Sequence, residues 1–181
     1  MSVVEQVVYE ALSAEAKEAY NQQVQENGYI TNMKLTLLQS LPSFHALMQW
    51  YPLRSEVLQF ISPRSFVIFC YAISSENDCL ICATFFRKEM ADLGSTVEEL
   101  QFTEEEILLV EFGQALVKNP KTIVNQVFEN LKERYSEEQV VALTAFGAMM
   151  VATNLINNVL DVELDERLVG YLAGGKAGQD E

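Results

Sequence analysis

Cys79-Leu-Ile-Cys82 is the stretch of this chain whose residue types and spacing suit covalent chemistry. It follows a polar break, Ser74-Ser75-Glu76-Asn77-Asp78, that reads as the turn before a helix. Residues i and i+3 share a helix face with Cβ atoms roughly 5–6 Å apart, and a disulfide needs roughly 3.5–4.5 Å. A slight tightening at the helix end would therefore close one. The helix start also turns the positive end of its dipole toward any thiolate formed there. Glu76 and Asp78 cut both ways: they cap the helix, but their charge raises a nearby thiol pKa. Three uses are open for the pair: redox exchange, metal binding, or filling an apolar helix flanked by Leu80, Ile81, Phe85 and Phe86.

A structural zinc site needs four ligands, usually two spaced pairs of Cys or His. Beyond Cys79 and Cys82 the chain offers only Cys70, inside the apolar run Phe66–Ile73, and His45, its single histidine. Cys70 reads as core and His45 as a partly buried structural residue, so no metal and no cofactor is expected. A Ser-His-Asp or Cys-His triad would have to recruit that one histidine, and nothing places it. GxGxxG, GxxxxGK[ST] and HExxH are all absent from the sequence, which leaves nucleotide and zincin chemistry without an anchor.

The elements that must position the pair read as helices in a chain of 181 residues, 49% of them apolar and 21% charged. This suits one all-α domain with a sizeable core. The 12 basic and 26 acidic residues leave a net charge of −14. That charge repels phosphate backbones and anionic lipid heads, so neither nucleic acid nor a membrane surface is an expected partner. The N-terminus lacks the basic and apolar regions of a secretory signal, and three cysteines make no disulfide framework, so a reducing cytoplasm is expected.

Along the chain, a polar helix is expected from Ser2 to about Glu26, ended by Asn27-Gly28. A short helix over Asn32–Ser40 is stopped by Leu41-Pro42, and Ser43 caps the next, with a break or kink at Pro52. Ser62-Pro63 opens an apolar helix through Ile73. The Cys pair starts a helix that runs to Leu93-Gly94, and Thr96–Leu100 forms one helical turn. Thr103-Glu-Glu-Glu106 is a capping box, Asn119-Pro120 starts a helix from Lys121 to about Tyr135, and Ser136-Glu-Glu-Gln139 is a second capping box. The latter opens the longest helix. Val140–Leu160 has no charged residue and the length to span a bilayer, but Asn154, Asn157 and Asn158 gather near one end, on one face. It is expected to be a central helix buried on nearly all sides, its polar stripe met by neighbours, and to carry assembly into a homo-oligomer. The tail from 174 to 181 is expected to fray.

Pro63 to about Asp161 resembles the carboxymuconolactone decarboxylase and alkylhydroperoxidase D superfamily. The likeness lies in the order of its parts: the apolar helix Phe66–Ile73, a polar turn, Cys79-x-x-Cys82, the Thr103 capping box with Phe112, Ala115 and Leu116, Asn119-Pro120, and the helix ending Ala152-Thr-Asn154-Leu-Ile-Asn157-Asn158. The resemblance implies an all-α oligomer and a thiol peroxidase or disulfide reductase cycle. In that cycle Cys82 attacks a peroxide, Cys79 resolves the sulfenic acid as a disulfide, and a dithiol donor restores the pair. The family's Glu, twelve residues before the first cysteine, and its His, four after the second, are Val67 and Phe86 here. That change would weaken the cycle, since apolar neighbours disfavour a thiolate. The alternative is a non-catalytic oligomer of the same fold whose apolar pocket holds a small ligand or partner.

Overall fold

Capping residues set most helix boundaries in the computed structural model, which describes residues 2–97, 101–122 and 125–173. The α-helices among these are α1 (Ala14–Asn27), α2 (Asn32–Leu37), α3 (Leu41–Met48), α4 (Trp50–Val57), α5 (Pro63–Glu76), α6 (Leu80–Asp92), α7 (Glu104–Lys118), α8 (Asn125–Arg134) and α9 (Glu137–Val159). No strand occurs among the described residues. The all-α expectation therefore holds.

Ser62 Oγ accepts from the Ser65 N–H with Pro63 in the first turn of α5, and Thr103 and Ser136 complete reciprocal capping boxes with Glu106 and Gln139. Gly28 ends α1 in the left-handed region at φ 78°.

Four expectations are corrected. Residues 2–8 are irregular: Ser13, not Ser2, caps α1, because its hydroxyl accepts from the Ala16 N–H. Pro42 starts α3 rather than stopping α2, since an N-terminal turn needs no proline N–H, and Ser40, not Ser43, is the N-cap. Pro52 likewise sits in the first turn of α4, and the break falls at Gln49. The helix expected from Lys121 is a 3-10 turn, Pro120–Thr122, followed by α8. The turn expected over Thr96–Leu100 falls mainly on residues 98–100, and the tail over 174–181, both outside the described residues.

α5 is the axis of the larger core. It packs against α6, α7 and α9, burying Phe66, Phe69, Cys70 and Ile73. The Phe69 and Phe112 rings stack at 6.0 Å, and Phe66 and Phe146 meet at 4.9 Å. Gly113 permits this closeness of α5 and α7: a Cβ there would lie 3.1 Å from Ile73 Cγ1 and 3.2 Å from Phe69 Cδ2. Arg64 fixes the start of α7 through an ion pair at 2.8 Å with the buried Glu106. A smaller apolar cluster, Ala16, Ala19, Leu37, Leu38 and Phe44, joins α1, α2 and α3.

α9 departs from its expected burial. Only 33% of its most apolar stretch is buried, although by length and composition it could cross a membrane. Its inner face holds Leu143, Phe146, Met150, Asn154 and Asn157, while Val141, Leu155 and Val159 face outward. α4, α5, α7 and α8 cover one side of it, and among the described residues the other side stays exposed.

Candidate functional site

The turn between α5 and α6 carries the cysteine pair. Cys79 N donates to Ser74 O at 3.0 Å, and Asp78 sits at φ 51°, a left-handed conformation that aspartate tolerates better than most side chains. This turn makes Cys79 the N-cap of α6 and puts Cys82 one turn in. The Cys79 sulfur takes the place of a capping oxygen, accepting from the Cys82 N–H at 3.4 Å. The two sulfurs lie 2.6 Å apart as free thiols.

The environments of the two thiols differ. The hydrogen bond from the Cys82 thiol, joined by the Cys82 and Ile81 N–H groups and Asn157, holds Cys79 below the ordinary thiol value against the pull of burial. The same hydrogen bond, together with burial, pushes Cys82 well above it. Only one of the two sulfurs therefore ionises readily. Cys70, fully buried on α5, is pushed well up by desolvation, as its place in the apolar run suggested.

Asn157 of α9 is the site residue that sequence reasoning did not assign. Its Nδ2 lies 3.2 Å from Cys82 Sγ and 4.0 Å from Cys79 Sγ, and its Oδ1 is buried with no hydrogen-bond partner. The signal was legible as three asparagines on an apolar helix, but its target was not. Asn158 Nδ2 donates to Asn77 O at 2.9 Å, tying the end of α9 to the turn before the pair. Asn154 is wholly buried and its side chain has no partner, so the stripe is met by neighbours at two positions and not at the third.

A cavity of about 410 Å³ opens beside the pair. Cys82 and Asn157 line it and Cys79 does not; Val67 and Phe86, both buried, form apolar wall next to them. His45 is exposed on α3, not partly buried as expected, and lies outside the cavity. Among the described residues, no group of three His, Cys, Asp or Glu side chains is placed to hold a metal ion.

Two solved structures share this arrangement of helices. One is the alkylhydroperoxidase AhpD core of an uncharacterized peroxidase-related protein from Ralstonia eutropha JMP134, at TM-score 0.73 and 16% identity, covering 93% of this chain and 95% of that one. The chain has the alkylhydroperoxidase D fold. The other structure is the debrominase Bmp8 in its apo form, at TM-score 0.69 and 18% identity with the same coverage. No family model and no curated protein matches the sequence. The resemblance read from the order of motifs thus holds at the level of the alkylhydroperoxidase D fold. Within that fold the CxxC pair occupies the start of α6, against a second helix that supplies an amide donor.

Proposed function

We propose that the protein is a dithiol–disulfide oxidoreductase that reduces a peroxide with Cys82 as attacking sulfur and Cys79 as its partner. The observation that carries this reading is that the Cys82 sulfur lines a cavity while lying 2.6 Å from a second thiol held toward its thiolate form. Val67 and Phe86 can take no proton, so the base is the Cys79 thiolate, which accepts the proton of Cys82. The Cys82 thiolate then attacks a peroxide oxygen. The S–O bond forms as the O–O bond breaks, leaving a sulfenic acid on Cys82 and an alkoxide or hydroxide that solvent protonates. The Cys79 thiol next attacks the Cys82 sulfur, the S–S bond forms, and water leaves. A dithiol donor attacks Cys82 from the cavity side and expels Cys79, the better leaving group because its thiolate is the more stabilised. Asn157 Nδ2 steadies the charge on sulfur and its unpartnered Oδ1 accepts from the peroxide O–H.

One equivalent of hydrogen peroxide added to the reduced protein tests this: intact mass should fall by the two hydrogens of a Cys79–Cys82 disulfide. An unchanged mass at neutral pH overturns it. The second reading, a pocket that binds a ligand without turnover, is favoured by the apolar Val67 and Phe86 walls, and predicts that unchanged mass. A reducing cytoplasm is the compartment in which the pair would wait as the dithiol.

The working unit is a homo-oligomer assembled through α9. Val141, Ala145, Ala148, Ala152, Leu155 and Val159 are all exposed and spaced alternately four and three residues apart. That 3.5-residue average is the repeat of a coiled-coil seam, and alanines allow a partner helix close approach. An uncharged seam also suits two copies that each carry a charge of −14.

A further inference from the structure

We propose that the cavity holds an anion-binding subsite, built from Lys34 and Arg54, so that the peroxide reduced by the dithiol is an apolar molecule carrying a carboxylate. This names the substrate class of the site above and rests on that reading.

Two cations on the cavity wall without an ion-pair partner carry the inference. Acidic residues outnumber basic ones 26 to 12 in this chain, so a cation near the interior should find a carboxylate easily. Lys34 and Arg54 both line the cavity, yet neither has a carboxylate oxygen within 4.0 Å among the described residues. Lys34 is only 6% exposed. Its ammonium donates to Gln23 Oε1 at 2.5 Å and to Tyr51 Oη at 2.7 Å, both neutral acceptors, which leaves its third N–H to be met. Burial of an ammonium without an ion-pair partner is costly and is tolerated where something negative is to be bound.

Arg54 is one turn beyond Tyr51 on α4, which places the two side chains on one face. Its guanidinium stacks over the rings of Trp50 and Phe66, at 5.8 and 5.7 Å from their centroids, and makes no hydrogen bond among the described residues. A stacked guanidinium with its N–H fork free is the geometry that takes a carboxylate in bidentate fashion. The acids on the same cavity wall are already engaged. Asp92 and Glu89 pair with Lys88, and Asp165 accepts the Asn32 N–H at 2.9 Å. The wall's three carboxylates thus each have a donor, while Lys34 and Arg54 keep N–H groups to offer. The same cavity is lined by Trp50, Phe66, Val67, Phe85 and Phe86, which suits a hydrocarbon or aromatic body.

Trp50, the only tryptophan, lines the cavity and reports on its filling. The test titrates wild-type protein with 4-phenylbutanoate and, separately, with the neutral 4-phenylbutanamide, following Trp50 emission. The carboxylate should bind about tenfold tighter than the amide, the increment of one or two charge-assisted hydrogen bonds. Lys34→Met and Arg54→Gln should each shrink that preference while amide binding persists. Equal affinity of the two probes for the wild type, or a preference that survives both substitutions, overturns the proposal. The Cys79→Ser, Cys82→Ser double variant should keep the preference, so the subsite and the dithiol chemistry stand or fall separately.

Discussion

Asn157 of α9 points its amide N–H at Cys82 Sγ of α6 across 3.2 Å, although the two residues stand 75 positions apart in the chain. The donor favours the anionic form of either sulfur. Asn157→Leu should therefore slow alkylation of the reduced pair by iodoacetamide about tenfold at neutral pH, the worth of one hydrogen bond to a charged group. Asn158→Ala, which loses only the bond to Asn77 O, should change the rate far less.

The two cysteines should fail differently. Cys82→Ser should abolish the reaction with peroxide at the site, because the sulfur on the cavity wall is gone. Cys79→Ser should leave a sulfenic acid on Cys82, trapped by dimedone and seen as an adduct by mass, formed slowly because the base has also been removed. Disulfide-free oxidation in the reverse pattern, with Cys79 carrying the adduct, would exchange the two roles.

Lys34 makes stability depend on alkaline pH in a defined direction. Burial lowers its pKa from 10.5 to about 8, Glu26 and Asp165 pull it back up, and Arg167 adds to the lowering. Below about pH 8 the lysine is charged in both folded and unfolded chains, and the burial penalty is present in full. Between about 8 and 10.5 the unfolded chain binds the extra proton, so stability rises with pH and the penalty fades. Lys34→Met should gain stability relative to wild type at pH 7, and that gain should shrink as pH approaches 10.5. Urea unfolding of the two proteins across this window measures it. A pH-independent difference would mean that Lys34 is not buried as a cation.

Gly113→Ala should cost about 1–3 kcal/mol, the usual penalty of overpacking. The added methyl meets Ile73 and Phe69 at 3.1 and 3.2 Å, and both side chains are fully buried in the α5 core. Denaturant midpoints measure the loss, with the slope unchanged if the folded state keeps its shape.

Leu155→Glu on the exposed seam of α9 should convert the oligomer to monomer without unfolding it. Leu155 is 59% exposed in the single chain, so the charge has solvent to face once the partner is gone. Sedimentation with circular dichroism on the same sample checks both halves of the statement. A wild-type protein that is already monomeric would remove α9 as an interface.

Most of what is local in this molecule was legible in the sequence. The capping boxes at Thr103 and Ser136, Pro63 at the start of α5, Gly28 at the end of α1 and the cysteine pair at the mouth of a helix follow from interactions that span four residues or fewer. At Pro42 and Pro52 a proline in a first turn carries the same letter as a proline that stops a helix, and before Ser13 apolar spacing without a cap does not make a helix. Tertiary structure alone decided which sulfur faces the cavity, that Asn157 meets the pair, and that Lys34 and Arg54 share its wall. Those residues come from separate helices, and their meeting depends on how α2, α4, α6 and α9 are brought together. Periodicity says which face of a helix is buried; only the packed neighbours say what that face touches.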